Sequence, residues 1–178
     1  MKKCILLCGN GGQGLIMAGI LLGEAAVIFE GINAIQNQTY GVQARGGESS
    51  SEVVISDQEI NFAIMPYCDV MIALSQTALN AYAARTRASS VVLVDSELVP
   101  DTSRICPEAK VYSFPITRRA VELTGKPMLA NVVSLGILSR FLPEISYESI
   151  EKAVARRVPP KTIAINCEAL RGGYDLLS

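Results

Sequence analysis

The sequence predicts one three-layer α/β domain, in which a mainly parallel sheet with a β-hairpin insertion lies between helices and a helical part ends the chain. Short apolar runs of strand length alternate with helix-like segments up to Pro115, and only helix-like segments follow. Apolar residues make up 49% of the chain and charged residues 19%, which fits a sheet that is buried on both faces. The length of 178 residues is enough for a single domain over 1–178 with a sizeable core.

The first predicted strand runs into a glycine-rich turn and then a helix. The apolar run Cys4–Cys8 is followed by Gly9-x-Gly11-x-x-Gly14 and by an alanine- and leucine-rich segment. Glycine takes positive φ without a steric penalty, and the first turn of a helix offers free N–H groups at the positive end of its dipole. We therefore predict an anion-binding turn, with tight strand–helix packing as the alternative role of the glycines. The candidate binding residues are Gly9, Gly11, Gly12, Gln13 and Gly14.

The same glycine spacing matches the phosphate-binding half of the dinucleotide fingerprint. The complete fingerprint also has an acidic residue about twenty positions later, at the end of the second strand, where it holds the ribose. Here the second apolar run, Ile32–Ile35, continues into Gln36, Asn37 and Gln38 without a carboxylate. Ordinary nicotinamide binding is therefore disfavoured, and the turn predicts an anion without specifying which one.

The elements on either side of the second strand are a buried helix and a hairpin. A helix is predicted over Leu15–Phe29, because its apolar residues lie almost all round the helical wheel. Gly19 and Gly23 predict close approach of this helix to a strand or another helix, and Gly31 provides a C-terminal stop. Two β-prone runs within residues 52–63 flank a polar turn and predict a hairpin that forms an antiparallel edge or a protruding arm.

A second glycine-rich stretch, residues 39–51, is polar and lies between two strand-like runs, where functional loops are often found. Its Arg45-Gly46-Gly47 sequence combines a guanidinium fork with free backbone amides, a combination that suits a carboxylate or a phosphate. The alternative is a solvated linker in which Arg45 pairs with Glu48. Composition leaves both interpretations open, and Arg45, Gly46 and Gly47 join the candidate binding residues.

The later elements follow the same patterns. Val70–Leu74 and Val91–Asp95 are continuous apolar runs that predict buried parallel strands, with a helix from Ser75 to about Ala84 between them. Lys110–Pro115 predicts a last, shorter strand. The helices predicted after it are Thr117–Leu123, Met128–Phe141, Tyr147–Arg156 and Lys161–Leu177. We expect the strand order to reverse near the glycine turn, so that this turn lies at a crevice.

Two polar residues in apolar surroundings are interpreted as structural. Asp95 ends a buried strand at the edge where such sheets bind ligands, yet capping of the following loop is favoured over contact with a ribose or a metal. Asn131 lies among apolar residues of a predicted helix and needs hydrogen-bond partners there. A neighbouring backbone group is favoured as that partner over a ligand or another chain.

The residue inventory argues against independent catalysis. The chain has no histidine, no serine in a nucleophile elbow and no Lys-Ser/Thr after its glycine turn. The five cysteines are scattered and match no zinc or iron–sulfur spacing. We therefore predict no catalytic residue and no metal ligand, and a supporting subunit fits better than an enzyme acting alone.

Charge and hydropathy set the expected surroundings of the chain. The net charge of −1 shows no excess of basic residues of the kind that binds nucleic acid or a membrane surface. No uninterrupted apolar run is long enough to cross a membrane, and the start of the chain lacks a signal-peptide pattern. The unpaired cysteine count favours reduced thiols, and we expect a cytoplasmic protein.

Five motifs occur in the order found in one known family. They are Gly9-x-Gly11-Gly12-Gln13-Gly14, Thr39-Tyr40-Gly41-x-x-Ala44-Arg45-Gly46-Gly47, Cys68-Asp69-Val70 running into Leu74, Asn131-Val132-Val133-Ser134-Leu135-Gly136, and Val158-Pro159-Pro160-Lys161 through Asn166 to Gly173-Tyr174. Over essentially its full length the chain resembles the gamma subunit of 2-oxoacid:ferredoxin oxidoreductases, most closely that of the 2-oxoglutarate enzymes.

The resemblance implies a Rossmann-like accessory subunit of a complex that oxidatively decarboxylates a 2-oxoacid to its acyl-coenzyme A. Electrons pass to ferredoxin or flavodoxin, thiamine diphosphate lies between alpha and beta chains, and iron–sulfur clusters lie in beta or delta chains. This chain is then expected to bind no cofactor firmly and to contact coenzyme A or the partner chains through Gly11–Gly14 and Arg45-Gly46-Gly47. A stand-alone dinucleotide-binding oxidoreductase and a purely structural scaffold remain the alternatives.

Overall fold

Six strands form one mixed sheet in the computed structural model, which describes residues 1–40, 47–61 and 65–177. The strands are β1 (Lys2–Asn10), β2 (Asn33–Tyr40), β3 (Glu48–Ser56), β4 (Val70–Ala73), β5 (Val91–Asp95) and β6 (Lys110–Phe114). Their order across the sheet is β2-β3-β1-β4-β5-β6. Strands β1, β4, β5 and β6 are parallel, whereas β3 is antiparallel to both β1 and β2.

Helices cover both faces of this sheet, as the three-layer prediction requires. They are α1 (Leu15–Glu24), α2 (Gln76–Tyr82), α3 (Ile116–Thr124), α4 (Ala130–Leu138), α5 (Tyr147–Arg157) and α6 (Ile163–Tyr174). Side chains alternate across β1, so Ile5 and Leu7 pack in the larger core with α1 and the C-terminal helices. Leu6 points the other way and packs in a smaller core against α2. In the described part of the chain, no helix has the length and apolar character of a membrane span.

The antiparallel hairpin is present, but the prediction that placed it within residues 52–63 is wrong. Strands β2 and β3 form it, pairing from Asn33 with Ser56 to Tyr40 with Ser49. Residues 57–61 form no strand, and residues 62–64 lie outside the described ones. The β-prone run at 53–55 pairs on both sides, with β1 and with β2, and is therefore an inner strand. A local pattern cannot distinguish these pairings, because they depend on strands far along the chain.

The strand order reverses at the predicted place. The chain leaves β1 through α1 towards β2 and β3, and it leaves β4 through α2 towards β5 and β6. The two carboxyl ends are neighbours, because β1 pairs in parallel with β4 from Ile5 with Val70 to Cys8 with Ala73. The glycine turn after β1 therefore lies at the switch point, where open α/β sheets bind ligands.

Three predicted features of the first helix and the second strand need correction. Helix α1 ends at Glu24 and passes into a π-helical turn, Ala25–Phe29. A Cβ on Gly19 would overlap the side chains of Ser51 and Gln36, as close packing requires, whereas Gly23 faces open space. Strand β2 continues to Tyr40, so Gln36 lies inside it rather than at its end.

Helices α4 and α6 cross at backbone contact, which explains two glycines of the C-terminal motifs. A Cβ on Gly136 would overlap the carbonyl group of Leu170, and one on Gly173 would overlap that of Val133. No other residue type fits these positions without separating the helices. The crossing holds the start of α4, including Asn131, near the amino-terminal part of α1.

Candidate functional site

The glycine turn has the left-handed backbone that its sequence predicts. Gly12 has φ of 91° and Gly14 has φ of 71°, values that favour glycine strongly over other residues. Gly14 is also the N-cap of α1, and its carbonyl oxygen accepts a hydrogen bond of 3.0 Å from the Ala18 amide. The turn therefore delivers the chain from β1 directly into the helix and leaves the positive end of the helix dipole at the switch point.

Fewer amides of this turn are free than the sequence predicts. The Gly11 amide donates to the Gly47 carbonyl oxygen at 2.9 Å, and the Gln13 amide donates to the Asn10 carbonyl oxygen at 3.2 Å. Within the described ranges, the amides of Gly12 and Gly14 donate to no protein group. The turn can therefore offer an anion these two N–H groups together with the first turn of α1.

The hydrogen bond between Gly11 and Gly47 joins the two glycine-rich stretches that the sequence singles out. They are far apart in the chain, yet the antiparallel pairing of β1 with β3 ends with Asn10 opposite Glu48 and brings them together. Gly47 is the described member of the predicted Arg45-Gly46-Gly47 group, and Arg45 and Gly46 lie outside the described residues. Gly47 therefore lies beside the glycine turn at the end of the sheet.

Gln13 and Gly9 have structural contacts that their glycine-turn pattern does not reveal. The Gln13 side-chain oxygen Oε1 accepts from the Asn10 amide at 2.6 Å, and its Nε2 donates to the Leu74 carbonyl oxygen at 2.9 Å. This side chain therefore bridges the ends of β1 and β4. Gly9 makes room for it, because a Cβ there would overlap Gln13 and crowd Leu15.

Asn131 anchors the turn from the opposite side. Its Nδ2 donates to the Gly14 carbonyl oxygen at 3.0 Å, and its Oδ1 accepts from the Val132 amide at 2.8 Å. The side chain is 7% exposed, so these backbone partners are what a buried amide requires. The structural interpretation of Asn131 is confirmed, and the residue lies beside the glycine turn.

Two cavities flank the turn and share Gly12 and Met128. One has a volume of about 340 Å³ and is also lined by Gly11, Gln13, Thr117 and Pro127. The other has a volume of about 240 Å³, and its further lining includes Met17, Leu21, Asn131, Val132, Val158 and Asn166. Met128 is 63% exposed between them, although sequence reasoning gave it no role. None of the described residues that line either cavity has a charged side chain.

Asp95 bonds to the backbone of Thr117, which lines the larger cavity. It is fully buried and accepts hydrogen bonds from the amides of Glu97 at 3.0 Å and Thr117 at 2.7 Å. The capping interpretation of Asp95 is therefore confirmed. By fixing the start of α3, this carboxylate also positions Thr117 at the cavity.

No cluster of three or more histidine, cysteine or acidic side chains suited to a metal ion occurs among the described residues. Burial raises the pKa of the Cys68 thiol to about 11, and it raises the pKa values of Cys4 and Cys8 even further. These thiols are consequently protonated at neutral pH and are poor nucleophiles.

Comparison with known proteins decides the family. Residues 4–176 match the family model of pyruvate ferredoxin/flavodoxin oxidoreductase. The chain belongs to this family. It is 43% identical over 176 residues to the 2-oxoglutarate synthase subunit KorC of Methanocaldococcus jannaschii, covering 99% of this chain and 94% of the relative. It is thus a gamma subunit of an oxoacid ferredoxin oxidoreductase, as the sequence resemblance implied, and the two alternatives are disfavoured.

Solved structures place the fold in the same family. The gamma subunit of the keto/oxoacid ferredoxin oxidoreductase of Geobacter sulfurreducens matches with a TM-score of 0.85 and 39% identity over 97% of this chain and 96% of that one. The 2-oxoglutarate:ferredoxin oxidoreductase of Magnetococcus marinus matches with a TM-score of 0.89 at 22% identity. That match covers 98% of this chain and 31% of the Magnetococcus chain, so the same fold there is one part of a longer polypeptide.

Proposed function

We propose that this chain serves a complex that oxidatively decarboxylates 2-oxoglutarate to its acyl-coenzyme A, and that its glycine turn contacts the coenzyme A. The chain is 43% identical, over 99% of its length, to the KorC subunit of a 2-oxoglutarate synthase, and this similarity supports the choice of substrate. The proposed contact with coenzyme A is supported by the 2.9 Å hydrogen bond from the Gly11 amide to the Gly47 carbonyl oxygen, which joins the two glycine-rich stretches.

The chemistry of the turn fits the phosphates of coenzyme A. The amides of Gly12 and Gly14, which donate to none of the described residues, and the amino end of α1 favour negative charge. Gly12 also borders both cavities. Arg45 follows β2 in the chain and is our candidate for a charged contact to the same phosphates. The Magnetococcus enzyme, which contains this fold, has been solved with 2-oxoglutarate, coenzyme A and succinyl-coenzyme A bound.

In this proposal the chain binds and orients, and it moves no proton. The sequence has no histidine, and the lining of both cavities contributes backbone, amide, hydroxyl and apolar groups. Thiamine diphosphate and the iron–sulfur clusters then belong to partner chains of alpha, beta and delta type, with ferredoxin or flavodoxin as acceptor. A cytoplasmic location accords with five cysteines that are all free in the structure.

The test starts from the complex that this chain recovers from its native cell extract. We expect partner chains with thiamine diphosphate and iron–sulfur clusters, and dye reduction that requires both 2-oxoglutarate and coenzyme A. Recovery of the chain alone, with affinity for a nicotinamide cofactor, would contradict the proposal.

A matched pair of glycine substitutions then tests the turn itself. Gly12→Ala and Gly125→Ala both place a side chain at positive φ, and an added Cβ meets nothing within 4 Å at either position. Both variants should lose about 1–2 kcal/mol of stability from backbone strain. Only Gly12→Ala should raise the KM for coenzyme A, because only Gly12 borders the cavities. Equal KM values for the two variants would remove the turn from the coenzyme A site.

A further inference from the structure

One side chain within the glycine turn is fastened to the end of the sheet. Between Gly9 and Gly14 only Asn10 and Gln13 carry a side chain. Gln13 Oε1 accepts from the Asn10 amide at 2.6 Å, and Gln13 Nε2 donates to the Leu74 carbonyl oxygen at 2.9 Å. The Gln13 amide also donates to the Asn10 carbonyl oxygen at 3.2 Å. Three hydrogen bonds therefore fix this one residue of the turn.

The anchor point of Gln13 on the β4 side belongs to the core. Leu74 directly follows β4 and is fully buried. Its amide donates to the Cys8 carbonyl oxygen at 2.9 Å, which extends the parallel pairing of β1 with β4. Backbone hydrogen bonds between buried strands are among the last to open in a folded chain. The Gln13 side chain therefore ties the turn to a rigid part of the sheet.

Gly9 leaves room for this conformation of Gln13. A Cβ on Gly9 would overlap Gln13 Oε1 and would lie 2.8 Å from Leu15 Cδ1. The φ angle of Gly9 is not positive, so its backbone conformation is open to other residue types. Glycine inside a strand weakens the strand and often marks a close approach. At Gly9 the close approach is that of the Gln13 and Leu15 side chains.

The residues on either side of Gln13 have conformationally free backbones. Gly12 has φ of 91° and Gly14 has φ of 71°, and glycine passes readily between such values and negative ones. The amides of both glycines donate to none of the described residues. Without a fixed residue between them, these amides would point in several directions, and a ligand would have to order them on binding.

We propose that Gln13 is a positioning residue, which holds the Gly12 and Gly14 amides in the direction that a phosphate needs. The inference rests on the proposed contact between coenzyme A and the glycine turn. Both polar atoms of the Gln13 side chain are bonded within the protein, so this residue acts through its neighbours rather than on the ligand. When only a fraction of the molecules has the competent turn, the apparent dissociation constant rises in inverse proportion to that fraction.

The test measures steady-state kinetics of the recovered complex with coenzyme A as the varied substrate. Gln13→Ala removes both side-chain hydrogen bonds of the turn. Gln76→Ala is the matched control, because Gln76 Nε2 donates to the Asp101 carbonyl oxygen at 2.8 Å and its Oε1 accepts from the Asp101 amide at 2.9 Å. That glutamine also bridges two parts of the chain, but it lies outside the lining of both cavities.

We expect Gln13→Ala to raise the KM for coenzyme A about tenfold, as a competent fraction of about one tenth would do. Its kcat should stay within about twofold of the wild type, because saturating coenzyme A orders the turn. Gln76→Ala should leave both constants unchanged. An unchanged KM in Gln13→Ala would overturn the inference, and so would an equal rise in the two variants.

Gly9→Ala tests the same geometry while Gln13 stays in place. Its Cβ displaces the Gln13 side chain, so this variant alone should raise the KM about as much as Gln13→Ala. The two effects should not add in the double variant, because no side chain is left there to displace. Additive increases in KM would show that the two residues act separately and would overturn the inference.

Hydrogen exchange of the full chain without ligand distinguishes positioning from direct contact. The amide of residue 13 keeps its acceptor, the Asn10 carbonyl oxygen, in Gln13→Ala. If the side chain holds the turn, this amide should exchange faster in Gln13→Ala than in the wild type. Unchanged exchange together with a raised KM would assign Gln13 to the ligand itself and overturn the inference.

The outcomes separate this inference from the proposed function. If the activity of the wild-type complex does not depend on coenzyme A, the proposed function fails and the inference fails with it. If Gly12→Ala raises the KM for coenzyme A and Gln13→Ala does not, only the inference fails. Circular dichroism checks the fold of each variant. Gln13→Met, which keeps the length of the side chain without its hydrogen bonds, decides the result if Gln13→Ala does not fold.

Discussion

Loss of the Asn131 side chain should release the glycine turn from the helical layer. Asn131→Ala removes the 3.0 Å bond to the Gly14 carbonyl oxygen and the 2.8 Å bond from the Val132 amide. The bond from the Val132 amide is buried and the bond to Gly14 is partly buried, and each contributes about 1–1.5 kcal/mol. We therefore expect a loss of about 2–3 kcal/mol, or about 4–12 °C in the melting temperature of a domain of this size.

A second substitution separates the two bonds of this side chain. Asn131→Asp keeps an acceptor for the Val132 amide near the start of α4, where a negative charge is favourable, but it cannot donate to Gly14. Its second carboxylate oxygen would face the Gly14 carbonyl oxygen in a mostly buried position, so it should lose at least as much stability as Asn131→Ala and also loosen the turn. Hydrogen exchange of the Ala18 amide, which donates to the same Gly14 carbonyl, reports that loosening.

Thermal and urea unfolding of the isolated chain measure the effect. Asn80→Ala on α2 is the control, because this asparagine is exposed and accepts only from Gln76. It should change stability by less than about 0.5 kcal/mol. If Asn131→Ala unfolds at the same temperature and urea concentration as the wild type, the anchoring role of Asn131 is refuted.

Three further predictions follow from the packing and the pKa shifts. Gly23→Ala should stabilise the chain by about 0.5–1 kcal/mol in urea unfolding, because the added Cβ has no neighbour within 4 Å. Gly19→Ala should destabilise it by about 1–3 kcal/mol, because the added Cβ overlaps Ser51. The opposite order of stabilities would contradict the packing. Hydrogen bonds from Ser149 and Ser146 lower the pKa of the Glu30 carboxyl, so its stabilising effect is present above the unfolded pKa of about 4.3 and is lost as the pH falls through the folded pKa. Glu30→Gln should therefore melt lower than the wild type at pH 7, and a difference that persists at pH 2 would oppose this origin. Alkylation followed by mass spectrometry should label Cys106 in the native chain, whereas the buried thiols of Cys4, Cys8 and Cys68 should react only after unfolding. Labelling of any of these three before unfolding would contradict their burial.

The position of β3 strengthens the argument against ordinary dinucleotide binding. In the usual arrangement the second strand lies beside the first, so an acidic residue at its end reaches the ribose. Here β3 lies between β1 and β2 and moves the end of β2 one strand, or about 4.8 Å, further from the glycine turn. The sequence has no carboxylate between Ile35 and the end of β2 at Tyr40, and the topology adds a reason why one there would be badly placed.

The buried parallel strands and the C-terminal helices were predictable, because their signals are local. Val91–Asp95 was predicted with the observed bounds, since a continuous apolar run that ends in a capping residue specifies a buried strand. Tyr147–Arg156 was predicted within one residue, because Ser146 is an N-cap and accepts from the Ser149 amide. The hairpin was misplaced because the sequence pattern of β3 is compatible with either an edge strand or an inner strand, and only its pairing with β1 and β2 distinguishes the two.

The sequence by itself determined the class of fold, and it predicts the glycine turn as a site for an anion and a chain without catalytic groups of its own. These follow from residue type and short spacing, because positive φ, helix dipoles and titratable groups are local properties. Only the tertiary structure decided that Gly11 bonds to Gly47, that Asn131 bonds to Gly14, and that Asn166 and Met17 line the same cavity. Such contacts join residues more than thirty positions apart, and they exist only once the sheet order and the crossing of α4 with α6 are fixed.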